Sequence, residues 1–319
     1  MPTPQNKSDA IALGKQNAAD IMARRQAALA RRAASLARLP KPAAEAPLQP
    51  KNLIAQPEAF QPAAVTTAGY LLAVGDSWFD YPLHDVLKEL EQDPGYTIES
   101  TARAGDPIES MAYTKGGQLD NVPAKLESIT AQGAAPKAVL LSGGGDDIAG
   151  KEFGMLLNSA RSSISGWAPD ILNYLVNERI LLAYHTIITT VTELCKPSVA
   201  GNVPILVHGY DYPVPDGRGF GDLIGISLLG PWLRPGFNEK LFDDLPTNIA
   251  FMHTFIDQFN AMLAGLAADA EFPNVVYVDL RNTLSTDLTD NNYQQLWANE
   301  LHPTEQGFVK VAQKFAAKL

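Results

Sequence analysis

At 319 residues, 46% hydrophobic and 19% charged, the chain is long enough for one large globular domain or for one domain with appendages. No apolar run reaches bilayer-spanning length, the opening MPTPQNKSDAIALGK has no apolar signal core, and the single Cys195 excludes an internal disulfide framework or a cysteine metal cluster. The net charge of −10 is uneven: residues 1–60 carry nine basic and four acidic residues, the remainder 16 and 31, so the acidic body repels nucleic acid.

Residues 8–39 are rich in Ala, Arg, Leu and Gln, with no Gly after Gly14 and no Pro before Pro40, which is helix composition. Arg24-Arg25 and Arg31-Arg32 recur seven residues apart. Alanines make a weak apolar face, so 1–39 reads as a solvated helical or disordered tail. The alternative is a basic helix that docks to a partner or an anionic surface. Residues 40–68 hold six prolines and read as an extended linker. The folded body spans 69–319. The cytoplasm is the default location, with export lacking a cleaved signal left open.

Within the body, five apolar runs suit buried strands: YLLAV (70–74), YTIES (96–100), KAVLLS (137–142), VPILVHG (203–209) and NVVYVDL (274–280). Helical stretches separate them, the longest being DILNYLVNERILLAYHTIITTVTELC, and TEQGFVKVAQKFAAKL closes the chain. The alternation predicts an α/β fold with a parallel sheet of about five strands covered on both faces. Its chemistry belongs at the carboxyl ends of the strands. Two long segments leave such ends, 150–169 and 210–237, and are expected to wall a pocket.

The strand ends carry the candidate chemistry. VGDSWFDYP follows the first strand and puts Ser77 on a Gly75-Asp76 turn. ARAGD follows the second, where Gly105 lets a backbone N–H approach a ligand. SGGGDD follows the third and carries Asp146 and Asp147. NELHP, near the C-terminus, sets His302 before a helix with Thr304 as its expected N-cap. A hydroxyl, an imidazole and small or amide groups at neighbouring strand ends are what acyl transfer requires.

In these four motifs and their order, residues 69–319 resemble the SGNH (GDSL-type) hydrolases, serine esterases and lipases with a three-layer α/β/α flavodoxin-like fold. The resemblance implies Ser77 as nucleophile and His302 as general base, with no cofactor and no metal. It implies an oxyanion hole from the N–H groups of Ser77 and Gly105 and from position 146. The substrate would be a carboxylic ester: a small acyl ester, a lipid or an O-acetylated glycan.

Two positions depart from the family pattern. Position 146 is Asp where the family carries Asn; an ionised carboxylate about 3 Å from an oxyanion repels it by roughly 5 kcal/mol at an effective dielectric near 20. A protonated Asp146 donates instead. Position 299 is Asn where the family carries Asp; its carbonyl accepts from the imidazole but brings no charge, a change that costs about 10⁴ in rate in serine proteases. Glu300, Asp147 and Asp279 are the other acids available to His302. The alternative function is an impaired binding protein for lipid or acylated glycan.

Other residues carry less. Two adjacent aspartates in an extended turn point apart, which argues against a metal at Asp146-Asp147 with Asp76 and Asp80. The 143–145 glycines lack the Lys-Ser/Thr of a phosphate loop. The HGYDYP turn (208–213) is expected to line the pocket, with His208 and Asp211 structural or supporting the site from behind, and His84, His185 and His253 have no partner by spacing. Trp78, Tyr81, Trp167 and Trp232 are equally core or pocket.

Overall fold

Five strands form one parallel sheet: β1 Tyr70–Val74, β2 Thr97–Ser100, β3 Pro136–Leu141, β4 Ile205–His208 and β5 Val275–Val278. They lie in the order 2-1-3-4-5 in the computed structural model, which describes residues 3–38, 66–199, 201–221 and 229–319. Leu71 pairs with Ile98 on one side and Ala138 on the other, Val139 with Ile205, and Ile205 with Val275. Both neighbours of β1 are parallel, so β1 is buried on both faces and reads as an unbroken apolar run.

Of the nine α-helices among the described residues, seven frame the sheet and the site: α1 Lys7–Ala37, α2 Val86–Gln92, α3 Ile108–Tyr113, α4 Gln118–Ala131, α5 Leu181–Cys195, α6 Leu245–Ala267 and α7 Glu305–Ala316. Right-handed crossovers on this strand order put α2 on one face and α4, α5 and α6 on the other. Helix α7 packs beside α2, while α3 and α4 pack on α5. The three-layer α/β/α arrangement is the expected one. Strand order reverses at β1, so the crevice at the carboxyl ends of β1 and β3 is the natural ligand site. No helix among the described residues is long and apolar enough to cross a membrane.

The first half of α1 departs from the solvated tail read from the sequence. Ala10, Gly14, Ala18 and Ile21 are buried against α5, whereas most of residues 23–37 are exposed. Small side chains let the two helices approach closely, which a count of large apolar residues does not register. Lys7 pairs with Asp269 and Glu271, Arg24 with Asp120, and Arg25 with Glu127. Lys7, Arg24 and Arg25 therefore bind the acidic body. Up to residue 65, the linker read at 40–68 lies outside the described residues.

The 150–169 segment does not wall the site. Its Phe153 and Trp167 join Phe237, Phe251 and Phe255 in an aromatic cluster, of which Phe255 alone lines the Ser77 cavity. Aromatic residues that read as pocket walls satisfy one another here.

Candidate active site

The turn after β1 begins with Gly75 because nothing larger fits. A Cβ there would lie 2.8 Å from Phe79 and 2.9 Å from the Ser142 side chain. The close approach brings the β1 and β3 ends together. Gln118, buried at the start of α4, clamps the turn: its amide accepts from Gly75 N at 2.9 Å and donates to Gly75 O at 2.8 Å. The same amide donates to Asp106 at 2.8 Å. Arg103 N also reaches Gly75 O, at 2.9 Å, so the loop after β2 is tied to the serine turn. Gly105 in that loop is exposed at φ +76°, in the left-handed region that favours glycine.

Ser77, half-buried, meets His302 there. Its Oγ lies 2.8 Å from His302 Nε2. The imidazole is 5% exposed, and burial holds it down to about 3, so the ring is neutral and Nε2 is free to accept the Oγ–H. The other ring nitrogen, Nδ1, donates to Asn299 Oδ1 at 3.1 Å. That oxygen also accepts the backbone N–H of Leu301 at 3.0 Å and of His302 at 2.9 Å. One carbonyl therefore fixes both the turn and the imidazole tautomer. The Asn299 amide donates to Tyr81 Oη at 2.9 Å, which sets which side of the amide faces the ring. Thr304 caps α7 as expected, accepting Gly307 N at 3.2 Å.

None of the acids offered as a helper to His302 serves it. Glu300 accepts four backbone N–H groups: Gly217 at 3.0 Å, Trp232 at 2.6 Å, Leu233 at 2.7 Å and Arg234 at 2.9 Å. Asp147 accepts Ile108 N at 2.8 Å, and Asp279 pairs with Arg281. The partner of His302 is the uncharged Asn299.

Below the serine turn runs a buried chain of hydrogen bonds. His208 accepts Tyr210 N at 3.3 Å and donates from Nε2 to Ser142 Oγ at 2.9 Å; Ser142 donates to Asp76 Oδ1 at 2.7 Å. Asp76 also accepts Trp78 N at 3.0 Å and the Tyr210 hydroxyl. Burial depresses His208 to about 3 and raises Asp76, whose three donors pull the other way. His208 is structural, as read. So is Asp211, which caps Tyr212, Asn282, Thr283 and Leu284 N–H groups.

A small cavity of about 40 Å³ opens beside Ser77. Met252, Phe255, Ile256 and Phe259 of α6 form one wall, with Trp78, Trp297 and Leu301 also lining it. Asp146 lines it as well. Its Oδ2 is sealed from solvent and has no hydrogen-bond partner among the described residues. Burial, then the Asp76, Asp147 and Asp106 charges, raise its carboxyl to about 7. Trp78 and Tyr81 are thus at the site, Trp232 meets the His302 ring edge-on at 5.6 Å, and Trp167 packs behind Phe255 of the cavity wall.

Sequence reasoning missed Gln118, Tyr210 and the α6 wall. Gln118 opens α4 with its side chain turned to a strand end, and no spacing rule marks it. The α6 residues follow ordinary helical periodicity, so they read as sheet cover.

No protein-family model matches the chain, and no curated protein does. Among solved structures, it is similar to an extracellular lipase from Streptomyces rimosus at 17% identity and TM-score 0.46, covering 79% of this chain and 100% of that one. It is also similar to a catalytic mutant of an acetylxylan esterase from Geobacillus stearothermophilus, at 17% identity and TM-score 0.40, covering 79% and 94%.

Proposed function

We propose that this chain is an SGNH-type serine hydrolase that cleaves carboxylic esters through an acyl-enzyme. The observation that carries the reading is the 2.8 Å contact between Ser77 Oγ and a buried, neutral His302 whose far nitrogen is held by Asn299. In acylation, His302 Nε2 takes the hydroxyl proton as Oγ bonds to the ester carbonyl carbon. The tetrahedral oxyanion is held by the N–H groups of Ser77 and Gly105, neither of which donates a hydrogen bond within the described residues. The carbon–alkoxy bond then breaks, and the alkoxide leaves with the proton from His302. Water repeats the sequence, with His302 as base, and frees the acid.

The acyl portion enters the cavity beside Ser77, whose small size and apolar walls suit a short hydrocarbon group. Hydrolysis of short nitrophenyl esters tests the reading. Ser77→Ala should lower kcat/KM by at least about 10³-fold. Equal rates for variant and wild type would remove it. That result would favour the second reading, a binding protein for lipid or acylated glycan. One observation speaks for it: the His302 partner is an amide without charge.

A further inference from the structure

We propose that Asp146 works as a neutral carboxylic acid, donating its O–H to the substrate oxyanion from the wall of the Ser77 cavity, and that hydrolysis is therefore confined to acidic and neutral solution. The inference rests on the ester-hydrolase reading and names a catalytic group and a working range for it.

The geometry divides the roles of two nearby carboxyls. Asp76 receives three donors, Ser142 Oγ, Trp78 N and Tyr210 Oη, and is built as an acceptor. Asp146 receives none at Oδ2, although that oxygen is sealed from water. A buried carboxylate oxygen without a partner is costly, and the neutral acid at the same place, on the wall of the Ser77 cavity, is less so. Two carboxyls held close do not both ionise readily, and the proton settles on the one that lacks donors.

The groups facing Asp146 agree. Asp76 comes from the β1 end, Asp106 from the loop after β2 and Asp147 from its own turn. Tyr210, after β4, is a phenol already bound to Asp76 and to Gly145 N. Helix α6 presents only Met252, Phe255, Ile256 and Phe259 to the cavity. The guanidinium of Arg179 is taken by Glu109. Three carboxyls and an apolar wall raise the carboxyl to about 7.

The other half of the range comes from His302. It must be unprotonated to act as base. Ser77, Asn299, Tyr81 and Trp232 surround it, and none carries a negative charge that would stabilise the imidazolium. The ring therefore stays a base well into acid. Asn at 299 and Asp at 146 together move the active range downward. During the reaction the Asp146 proton is shared with the oxyanion and returns when the carbonyl re-forms, so it is not consumed.

The test is the pH profile of kcat/KM for a nitrophenyl ester with a pH-independent leaving-group assay. The wild type should be level across weak acid and fall about tenfold per pH unit above about 7. Asp146→Asn, which keeps a neutral donor, should hold its rate through pH 9, so the variant-to-wild-type ratio climbs about fiftyfold between pH 7 and pH 9. A wild-type rate that rises through pH 7 and levels, or a variant profile parallel to wild type, overturns the inference. Carboxyl NMR of the aspartate-labelled protein reads the same group without the variant; titration of Asp146 in the ordinary carboxylate range also overturns it. Either result leaves the hydrolase reading standing if Ser77 still takes a fluorophosphonate label. An ester-inert protein with an unlabelled Ser77 removes both.

Discussion

Tyr81 lies flat against His302, with ring centroids 4.1 Å apart and planes 16° from parallel, and its hydroxyl accepts the Asn299 amide at 2.9 Å. One side chain thus supports both the base and the group that orients it. In the proposed reaction His302 becomes a cation on taking the serine proton, and no carboxylate among the described residues is hydrogen-bonded to it. The tyrosine π face is the available source of attraction, worth about 0.5–2 kcal/mol to a desolvated cation. Tyr81→Phe keeps the ring and should lower kcat about threefold, whereas Tyr81→Leu should lower it about tenfold to thirtyfold with KM little changed. A merely structural role would move stability and KM instead. Equal kcat for the Leu and Phe variants would show that stacking contributes nothing.

Glu300 looks in sequence like an acid placed to serve His302, but its carboxylate serves the backbone. It is buried and accepts from Gly217, Trp232, Leu233 and Arg234, so it pins the segment after β4 onto the NELHP turn. Glu300→Ala leaves four donors without an acceptor and should cost about 3–5 kcal/mol in urea unfolding. Activity should fall with it, because Trp232 abuts the His302 ring. A variant as stable as wild type would mean that water replaces the carboxylate at no cost.

These two residues mark where the sequence stops being legible. The five strands were readable because β-rich apolar runs alternate with helical periodicity, and all five occur where expected. Ser77 and His302 were readable because Gly-Asp-Ser and His-Pro turns interrupt that pattern at strand ends. The Asn299–His302 contact follows from a three-residue spacing within one turn. Glu300 and Gln118 were not readable in this way. Their partners are backbone N–H and C=O groups from distant segments, and such groups leave no trace in residue identity. Tyr81 was ambiguous because aromatic content does not reveal which ring a side chain will stack on.

The raised Asp146 carboxyl also makes a stability prediction. Its folded value of about 7 exceeds the ordinary unfolded value near 3.9, so between them the folded state holds a proton that the unfolded chain has lost. That contribution is full below about pH 4 and is lost as pH rises through about 7. Asp147 and Asp211, both raised to about 6, act in the same direction. His208 and His302, both lowered to about 3, act oppositely: the unfolded chain takes protons that they refuse, so stability is lost as pH falls below about 6.5. The total is a balance, but the difference between Asp146→Asn and wild type isolates one group. The variant should gain on wild type by on the order of 2–3 kcal/mol between pH 4.5 and pH 8 in urea unfolding. An equal gap at both pH values would place Asp146 among ordinary carboxyls.

The N-terminal helix offers a test independent of the site. Ala10, Gly14, Ala18 and Ile21 form one stripe on α1, spaced by four, four and three residues, and all are buried. Gly14 sits at the closest approach: a Cβ there would lie 2.6 Å from Thr189 Cβ and 2.8 Å from Thr186 O on α5. Thr190 Oγ1 donates to Gly14 O at 3.2 Å across the same contact. A mid-helix glycine costs about 1 kcal/mol relative to alanine, and the close packing of two backbones offsets it. Gly14→Val cannot be absorbed by a side-chain shift, because one of the opposing atoms is a backbone carbonyl. It should lift α1 from α5, lower the melting temperature by several degrees and make the arginine-rich 24–38 stretch an early tryptic site. Ester hydrolysis measured well below the melting temperature should stay within about twofold of wild type, since α1 contributes no residue to the Ser77 cavity. A Gly14→Val protein that melts and resists trypsin like wild type would show that α1 does not hold to α5 in solution. Loss of hydrolysis without loss of stability would tie the N-terminal helix to the chemistry instead.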